Sequence, residues 1–214
     1  MMILASCSGG LTDLDRAGLK GRVKSITERH YKATFKDGHW VAGNPSSYSR
    51  AVINYTSDGS YLGSIALNEN GDTTGFTRIR RVDGEMVEEV FYSRISHRTS
   101  KTMYDRVSDE EVYFEVWEGA KLSYEGAIYY DSKGRIERQA GVVDDLEVMN
   151  YYVYEKGMLV ENYQEDLSGE RTATLKYEYE EFDDKGNWIV KLTYVGEDQT
   201  TPPRVIKREY TYHQ

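Results

Sequence analysis

The sequence predicts an all-β fold, an antiparallel meander of hairpin repeats, and three observations carry the prediction. The first is period-two alternation, clearest at Leu175–Tyr194 (LKYEYEEFDDKGNWIVKLTY). Leu175, Tyr177 and Tyr179 share one face of the first arm and Lys176, Glu178 and Glu180 the other. In the second arm Trp188, Val190, Leu192 and Tyr194 oppose Ile189, Lys191 and Thr193. Successive strand side chains point to opposite faces, so the segment reads as a hairpin with one apolar and one mostly charged face. The second observation is glycine punctuation. Asp58-Gly59, Asn70-Gly71, Asp83-Gly84, Glu118-Gly119, Lys133-Gly134, Lys156-Gly157, Ser168-Gly169 and Lys185-Gly186 separate segments rich in Tyr, Val, Ile, Phe and Thr. The third is composition: of 214 residues 39% are hydrophobic, with 19 Tyr, 19 Gly and only 3 Pro, which favours half-buried pleated surfaces and tight turns over a thick core. The expected body is a single β-repeat domain over residues 21–214. About 12 strands are expected in it, curled into an open barrel or a strongly twisted sheet.

Residues 1–20 stand apart from that body. In MMILASCSGG, Leu4-Ala5-Ser6-Cys7 resembles the bacterial lipobox, in which small residues precede a cysteine that is lipidated. Met1, Met2 and Ile3 fall short of the apolar region of roughly 7–15 residues that a complete signal carries, so the segment reads as a truncated signal with its lipobox and a tether. The resemblance implies a lipid anchor at Cys7 and a body that sits on a membrane without crossing it. Nothing in the sequence approaches the ~20 apolar residues of a transmembrane helix. Cys7 is the only cysteine, so an intramolecular disulfide is excluded. Within residues 8–20, Thr12 or Asp13 is placed to begin a short helical turn.

Further along, Arg22–Phe35 alternates loosely and ends at Lys36-Asp37-Gly38, a turn signal before His39-Trp40-Val41. Residues 43–50 (GNPSSYSR) read as a loop by composition. Met86, Glu88, Val90 and Tyr92 oppose Val87, Glu89 and Phe91, and Val112, Phe114 and Val116 oppose Tyr113, Glu115 and Trp117. Between them lies the longest interval without a glycine turn, Gly84 to Gly119, in which a strand ends near Tyr92, an irregular polar stretch follows, and a strand resumes at Val112.

Tyr130-Asp131-Ser132-Lys133-Gly134-Arg135-Ile136 resembles the YD repeat of RHS-type proteins: Tyr-Asp, two variable residues, Gly, a polar residue and an aliphatic one. Phe182–Trp188 is a second copy, Tyr154–Leu159 a shortened third and Tyr55–Gly59 a weak fourth. The ending, with Gly186-Asn187-Trp188 and then Arg208–Tyr212, is similar to small lipoproteins of Bacteroides-type bacteria. The resemblance implies β-hairpin repeats in a curling sheet and, with the lipobox, an outer-membrane lipoprotein of the cell envelope. It implies no activity.

A net charge of -9 argues against nucleic acid as a partner, because phosphate binding needs a basic surface. The four histidines, His30, His39, His97 and His213, form no metal-like cluster in sequence, and no P-loop, GxGxxG or nucleophile motif occurs, so neither metal nor cofactor is expected. Asp109-Glu110-Glu111, Asp144-Asp145 and Asp183-Asp184 read as solvated turns. The aromatic residues Trp117, Tyr151, Tyr152, Tyr154 and Trp188 are the candidate binding surface, a platform for a glycan, a peptide or a partner protein. The reading is a non-enzymatic, membrane-anchored envelope module. Its alternatives are a carbohydrate-active hydrolase with carboxylates in the sheet's concavity and a purely structural envelope component.

Overall fold

The computed structural model describes residues 11–143, 146–166, 168–196 and 201–214. Cys7 and Asp144-Asp145 lie outside them. Fourteen strands follow a four-residue helix, α1 (Asp13–Arg16): β1 (Val23–Lys36), β2 (His39–Tyr55), β3 (Tyr61–Leu67), β4 (Thr73–Val82), β5 (Glu85–Ser93), β6 (Thr99–Arg106), β7 (Glu111–Glu118), β8 (Lys121–Tyr130), β9 (Ile136–Val143), β10 (Leu146–Glu155), β11 (Met158–Glu165), β12 (Arg171–Phe182), β13 (Trp188–Val195) and β14 (Arg204–Tyr212). Each pairs antiparallel with its neighbour in sequence, so the meander is as the alternation predicts. The curl goes further than an open barrel, because β1 pairs with β2 on one flank and with β14 on the other, from Ser25↔Thr211 to Lys32↔Arg204. Closure removes the unpaired edge that an open sheet would expose.

Two stretches read as irregular are strands. Thr99–Arg106 forms β6, which pairs with β5 and β7 throughout. Its side chains are polar on both faces, so no hydrophobic alternation marks it. Residues 43–50 belong to β2, whose register against β1 shifts around Tyr31↔Pro45. β3 joins β2 only from Arg50 onward, so Pro45 lies on an edge stretch of β2 and at a register shift, where proline is tolerated.

The two faces of the wall are assigned by α1. Leu14 packs with Val23, Ile26 and Tyr55. Thr12 meets the turn after β2 at Gly59, Leu11 the turn after β8 at Gly134, and Lys20 the turn after β12 at Gly186. Only from inside the barrel can one short segment reach turns so widely spaced around it. Residues that share α1's side, such as Ile26, Ile53, Tyr61, Met86, Tyr130 and Tyr210, therefore face the lumen. Their neighbours along each strand face out.

This assignment revises the hairpin at Leu175–Tyr194. Tyr177 pairs with Thr193, Tyr179 with Lys191 and Glu178 with Leu192, so the tyrosine row lies on the opposite side of the wall from Val190, Leu192 and Tyr194, while Trp188, beyond the register shift, lies with the tyrosines. Irregularities between Tyr179 and Glu181 and between Glu181 and Phe182 permit that register. The tyrosine row faces the lumen. Val190, Leu192, Tyr194 and, from β14, Val205 face outward and are buried because the tip of the β1–β2 hairpin folds over them with Tyr31, Ala33, Trp40 and Ala42.

All four YD-like turns connect an even-numbered strand to the next odd one and so lie on one rim, the rim that carries α1 and the chain's last strand end. The two full copies share their chemistry. Asp131 Oδ1 accepts the backbone N–H of Lys133 and Arg135 at 2.9 and 3.0 Å, and Asp183 Oδ1 those of Lys185 and Asn187 at 3.0 and 2.7 Å. The acid is turn punctuation, as its sequence position indicates. Gly134 and Gly186 supply the positive φ, and at both a Cβ would also run into the N-terminal segment that carries α1, at Leu11 and Lys20.

Candidate ligand-binding lumen

Eight strands make a barrel just wide enough for side chains to fill it. Fourteen leave space, and apart from a slight approach of β2 to β14, extensive backbone contact in this barrel runs only between hydrogen-bonded neighbours. Residues 11–20 cross one mouth. Thr12 caps α1 in a reciprocal pair with Asp15, Leu14 N–H donates to Gly59 O at 3.1 Å, and Asp13 accepts the N–H of Tyr61 at 2.7 Å and pairs with Arg81. Lys20 N–H donates to Asn187 Oδ1 at 2.7 Å, while Asn187 Nδ2 donates to Lys20 O and Tyr212 Oη, both at 2.9 Å. The helical turn expected at Thr12 is present, and the segment read as a tether is a packed strap.

Above the strap lies a cavity of about 450 Å³, lined by Ala51, Ile53, Tyr55, Tyr61, Met86, Tyr130 and Ile136 with Asp13, Arg16, Ala17 and Ser64. A smaller space of about 170 Å³ continues toward Arg81, Glu85, Tyr104, Arg106 and Val112. The tyrosines of this wall are held protonated: burial pushes Tyr55 up to about 12 and raises Tyr61 and Tyr130. They present O–H groups and ring faces, the pairing that recognises amphipathic molecules.

A second polar centre lies on the β13–β14–β1 wall. Glu28 accepts Arg208 Nε and Nη2, both at 2.8 Å, and contacts His30 Nε2 at 2.9 Å, as the shared-face spacing of Glu28 and His30 predicts. Burial opposes its charge, but the His30 bond and the Arg208 guanidinium prevail and hold it at about 2. Arg208 stacks over Trp188 at 3.8 Å. Lys191 sits 4.9 Å from the Trp188 ring and 5.0 Å from that of Tyr177; burial, with Arg208 nearby, lowers it to about 8. On the β5–β6 wall, burial raises Glu89, which accepts the Tyr104 O–H at 3.1 Å.

These two luminal carboxylates do not make a glycosidase pair. β1 and β5 are four strand spacings apart, on the order of 19 Å along the wall, against about 5–9.5 Å for paired catalytic carboxyls. Among the described residues no group of three His, Cys, Asp or Glu converges as for a metal ion.

The five aromatic residues singled out from sequence divide between the two faces. Tyr152, Tyr154 and Trp188 are luminal; Tyr152 reaches Gln139 Oε1 at 3.3 Å, and Tyr154 lies 4.2 Å from the Arg135 guanidinium. Trp117 and Tyr151 are outside. Trp117 Nε1 donates to Glu115 at 2.9 Å, and Tyr151 stacks on Tyr163 beside an outer cleft of about 530 Å³ floored by Ala127 and Ala140. A single platform of all five does not exist, because Tyr151 and Tyr152 are strand neighbours and must point oppositely. Sequence reasoning missed Arg16, which no alternation marks because it lies in the strap.

Among solved structures, the chain is similar to a porin-like protein from Bacteroides uniformis, at 11% identity over 90% of this chain and 99% of that one, with a TM-score of 0.49. It is similar to a porin-like protein from Bacteroides vulgatus at 11% identity over 89% and 98% of the two chains, also with a TM-score of 0.49. No protein-family model and no curated protein matches the chain.

Proposed function

We propose that this chain is a non-enzymatic binding barrel of the cell envelope that takes a small ligand, such as a glycan, a peptide segment or another amphipathic molecule, into its lumen. The observation that carries the reading is the floored, tyrosine-lined cavity of about 450 Å³ inside a closed barrel. The lipobox at Cys7 supports tethering at the outer membrane, and the outer wall supports a body standing in water. Arg78, Arg80, Lys207 and Glu209 are exposed there, and Glu88, Lys101, Glu115, Glu125 and Arg138 share that face. Among the described residues no helix is long and apolar enough to cross a membrane. The resemblance to RHS-type repeats is confined to the rim turns, which seat the strap.

A second reading, docking of a partner protein on the outer wall, is favoured by the apolar cleft beside Tyr151. One experiment separates the two. Oligosaccharide and peptide panels are screened against the wild type, Ala51→Trp, which fills the lumen, and Ala140→Trp, which fills the outer cleft. The luminal reading expects Ala51→Trp to abolish the binding that is found and Ala140→Trp to leave it. The reverse result assigns binding to the outer wall. Mass spectrometry of the native product tests the anchor: an unmodified Cys7 removes it.

A further inference from the structure

Among the described residues, Arg16 is the one luminal arginine at the strap end without an ion-pair acid. Arg81 is paired with Asp13, Arg106 with Glu85 at 2.8 Å, Arg135 with Asp131, and Arg208 with Glu28. The helix's own acids are spent, Asp13 on Arg81 and Asp15 on the Thr12 cap. Arg16 Nη1 is buried with no hydrogen-bond partner, and the guanidinium lies 4.8 Å from the Tyr130 ring centre. It lines both luminal cavities, whose walls together hold three guanidiniums (Arg16, Arg81, Arg106) and two carboxylates (Asp13, Glu85). Among the residues that line these two spaces the charge balance is therefore one positive, beside aromatic rings. A partly buried guanidinium with an unpartnered N–H is costly, and its planar fork of donors matches a carboxylate, sulfonate or phosphate. The remaining lining offers no second charge to a ligand; Ile53, Met86, Tyr130 and Ile136 offer apolar and ring surface.

We infer that the luminal cavity binds an organic anion, with its acidic head on Arg16 and an apolar or aromatic body against Ile53, Met86, Tyr130 and Ile136. The inference rests on the luminal reading above and names its ligand class. It also explains why a chain of net charge -9 keeps this guanidinium unpaired: the anion that completes the site comes with the ligand.

Two fluorescent probes that share a naphthylamine body test it: anilinonaphthalene sulfonate, which carries an acidic group, and phenylnaphthylamine, which does not. Both are titrated into the wild type, Arg16→Met, Arg16→Lys and the lumen-filling Ala51→Trp, with folding checked by circular dichroism. One charge-assisted contact corresponds to a loss of about tenfold or more, so Arg16→Met is expected to weaken the sulfonate that much and the neutral probe by less than about twofold. Arg16→Lys is expected to restore most of the sulfonate binding. Equal loss of both probes in Arg16→Met, or loss of neither, overturns the anion assignment while the luminal reading stands. Failure of Ala51→Trp to weaken either probe overturns the luminal reading itself.

Discussion

Replacing Glu28 by Gln removes the carboxylate that the luminal wall organises around, and its effect can be worked from the structure. Glu28 is 16% exposed and Arg208 18%, so solvent screens their contact little. The fold lowers the Glu28 pKa from 4.5 to about 2. At about 1.36 kcal/mol per unit, that is on the order of 3 kcal/mol of stability at neutral pH. Because the folded value lies below the unfolded one, this stability is complete above about pH 4.5 and is lost as pH falls toward 2. Glu28→Gln also leaves Arg208 beside Lys191 with no counter-charge, and breaking such a pair costs about 3–5 kcal/mol. Urea unfolding should therefore show a loss of about 3–5 kcal/mol at pH 7 that shrinks to less than about 1 kcal/mol at pH 2, where the wild-type carboxyl is itself protonating. A loss under about 1 kcal/mol at neutral pH, or one of equal size at both pH values, would falsify the assignment of Glu28 as a charged, paired group.

The other expectations follow from the same wall and from the strap. Lys191, lowered to about 8, loses its proton in the folded state before the unfolded state does, so stability rises with pH from about 8 until unfolded tyrosines begin to ionise near 10 and act in the opposite sense. Lys191→Met should flatten that rise in thermal melts, and an unchanged slope counts against the buried lysine as its source. Asn187→Ala removes the side chain that holds Lys20 at both its N–H and its C=O, and is expected to cost about 1–3 kcal/mol. Limited trypsin digestion should then cut at Lys20 faster than in the wild type; equal rates refute the anchoring role. Trp40→Ala uncovers Val190 and Leu192 on the outer wall and should destabilise by about 2–3 kcal/mol while leaving luminal probe binding unchanged. A matched fall in probe affinity would show that the hairpin tip and the lumen are coupled.

What the sequence disclosed and what it withheld differ by physical scale. Alternation and glycine turns are local, so the strands at Met86–Tyr92, Val112–Trp117 and Leu175–Tyr194, and the acid-headed turns at Asp131 and Asp183, were legible. Face assignment is not local. In Leu175–Tyr194 the tyrosine row lies on the opposite side of the wall from Val190, Leu192 and Tyr194, and nothing within the hairpin reveals that Val190 and Leu192 are covered from outside by Trp40, more than a hundred residues earlier. Thr99–Arg106 is opaque because Ser100, Thr102 and Tyr104 line the lumen while Thr99, Lys101 and Asp105 face out, so no apolar row marks either face. Closure depends on β1 serving two neighbours at once, which its loose alternation does not announce. Arg16 could have been found only by asking which helix-turn cation lacks an acid, since Asp13 and Asp15 sit close enough in sequence to suggest a partner.

The same face assignment decides how the barrel meets a membrane. A lipid-embedded barrel keeps an apolar band of about 25 Å around its outside, and a Lys or Arg at mid-bilayer costs about 2–4 kcal/mol. Here Arg78 and Arg80 on β4, Lys101 on β6, Arg138 on β9, and Lys176 and Glu178 on β12 all lie on the outward rows, while Tyr61, Tyr130, Tyr152, Tyr154, Tyr177 and Tyr179 point inward. Those outward charges are not what a lipid-facing wall carries at its middle. The distribution suits a barrel with water outside and an amphipathic guest within. The strap fits that arrangement, because residues 11–20 cross the near mouth of the barrel and bring Arg16 to its floor.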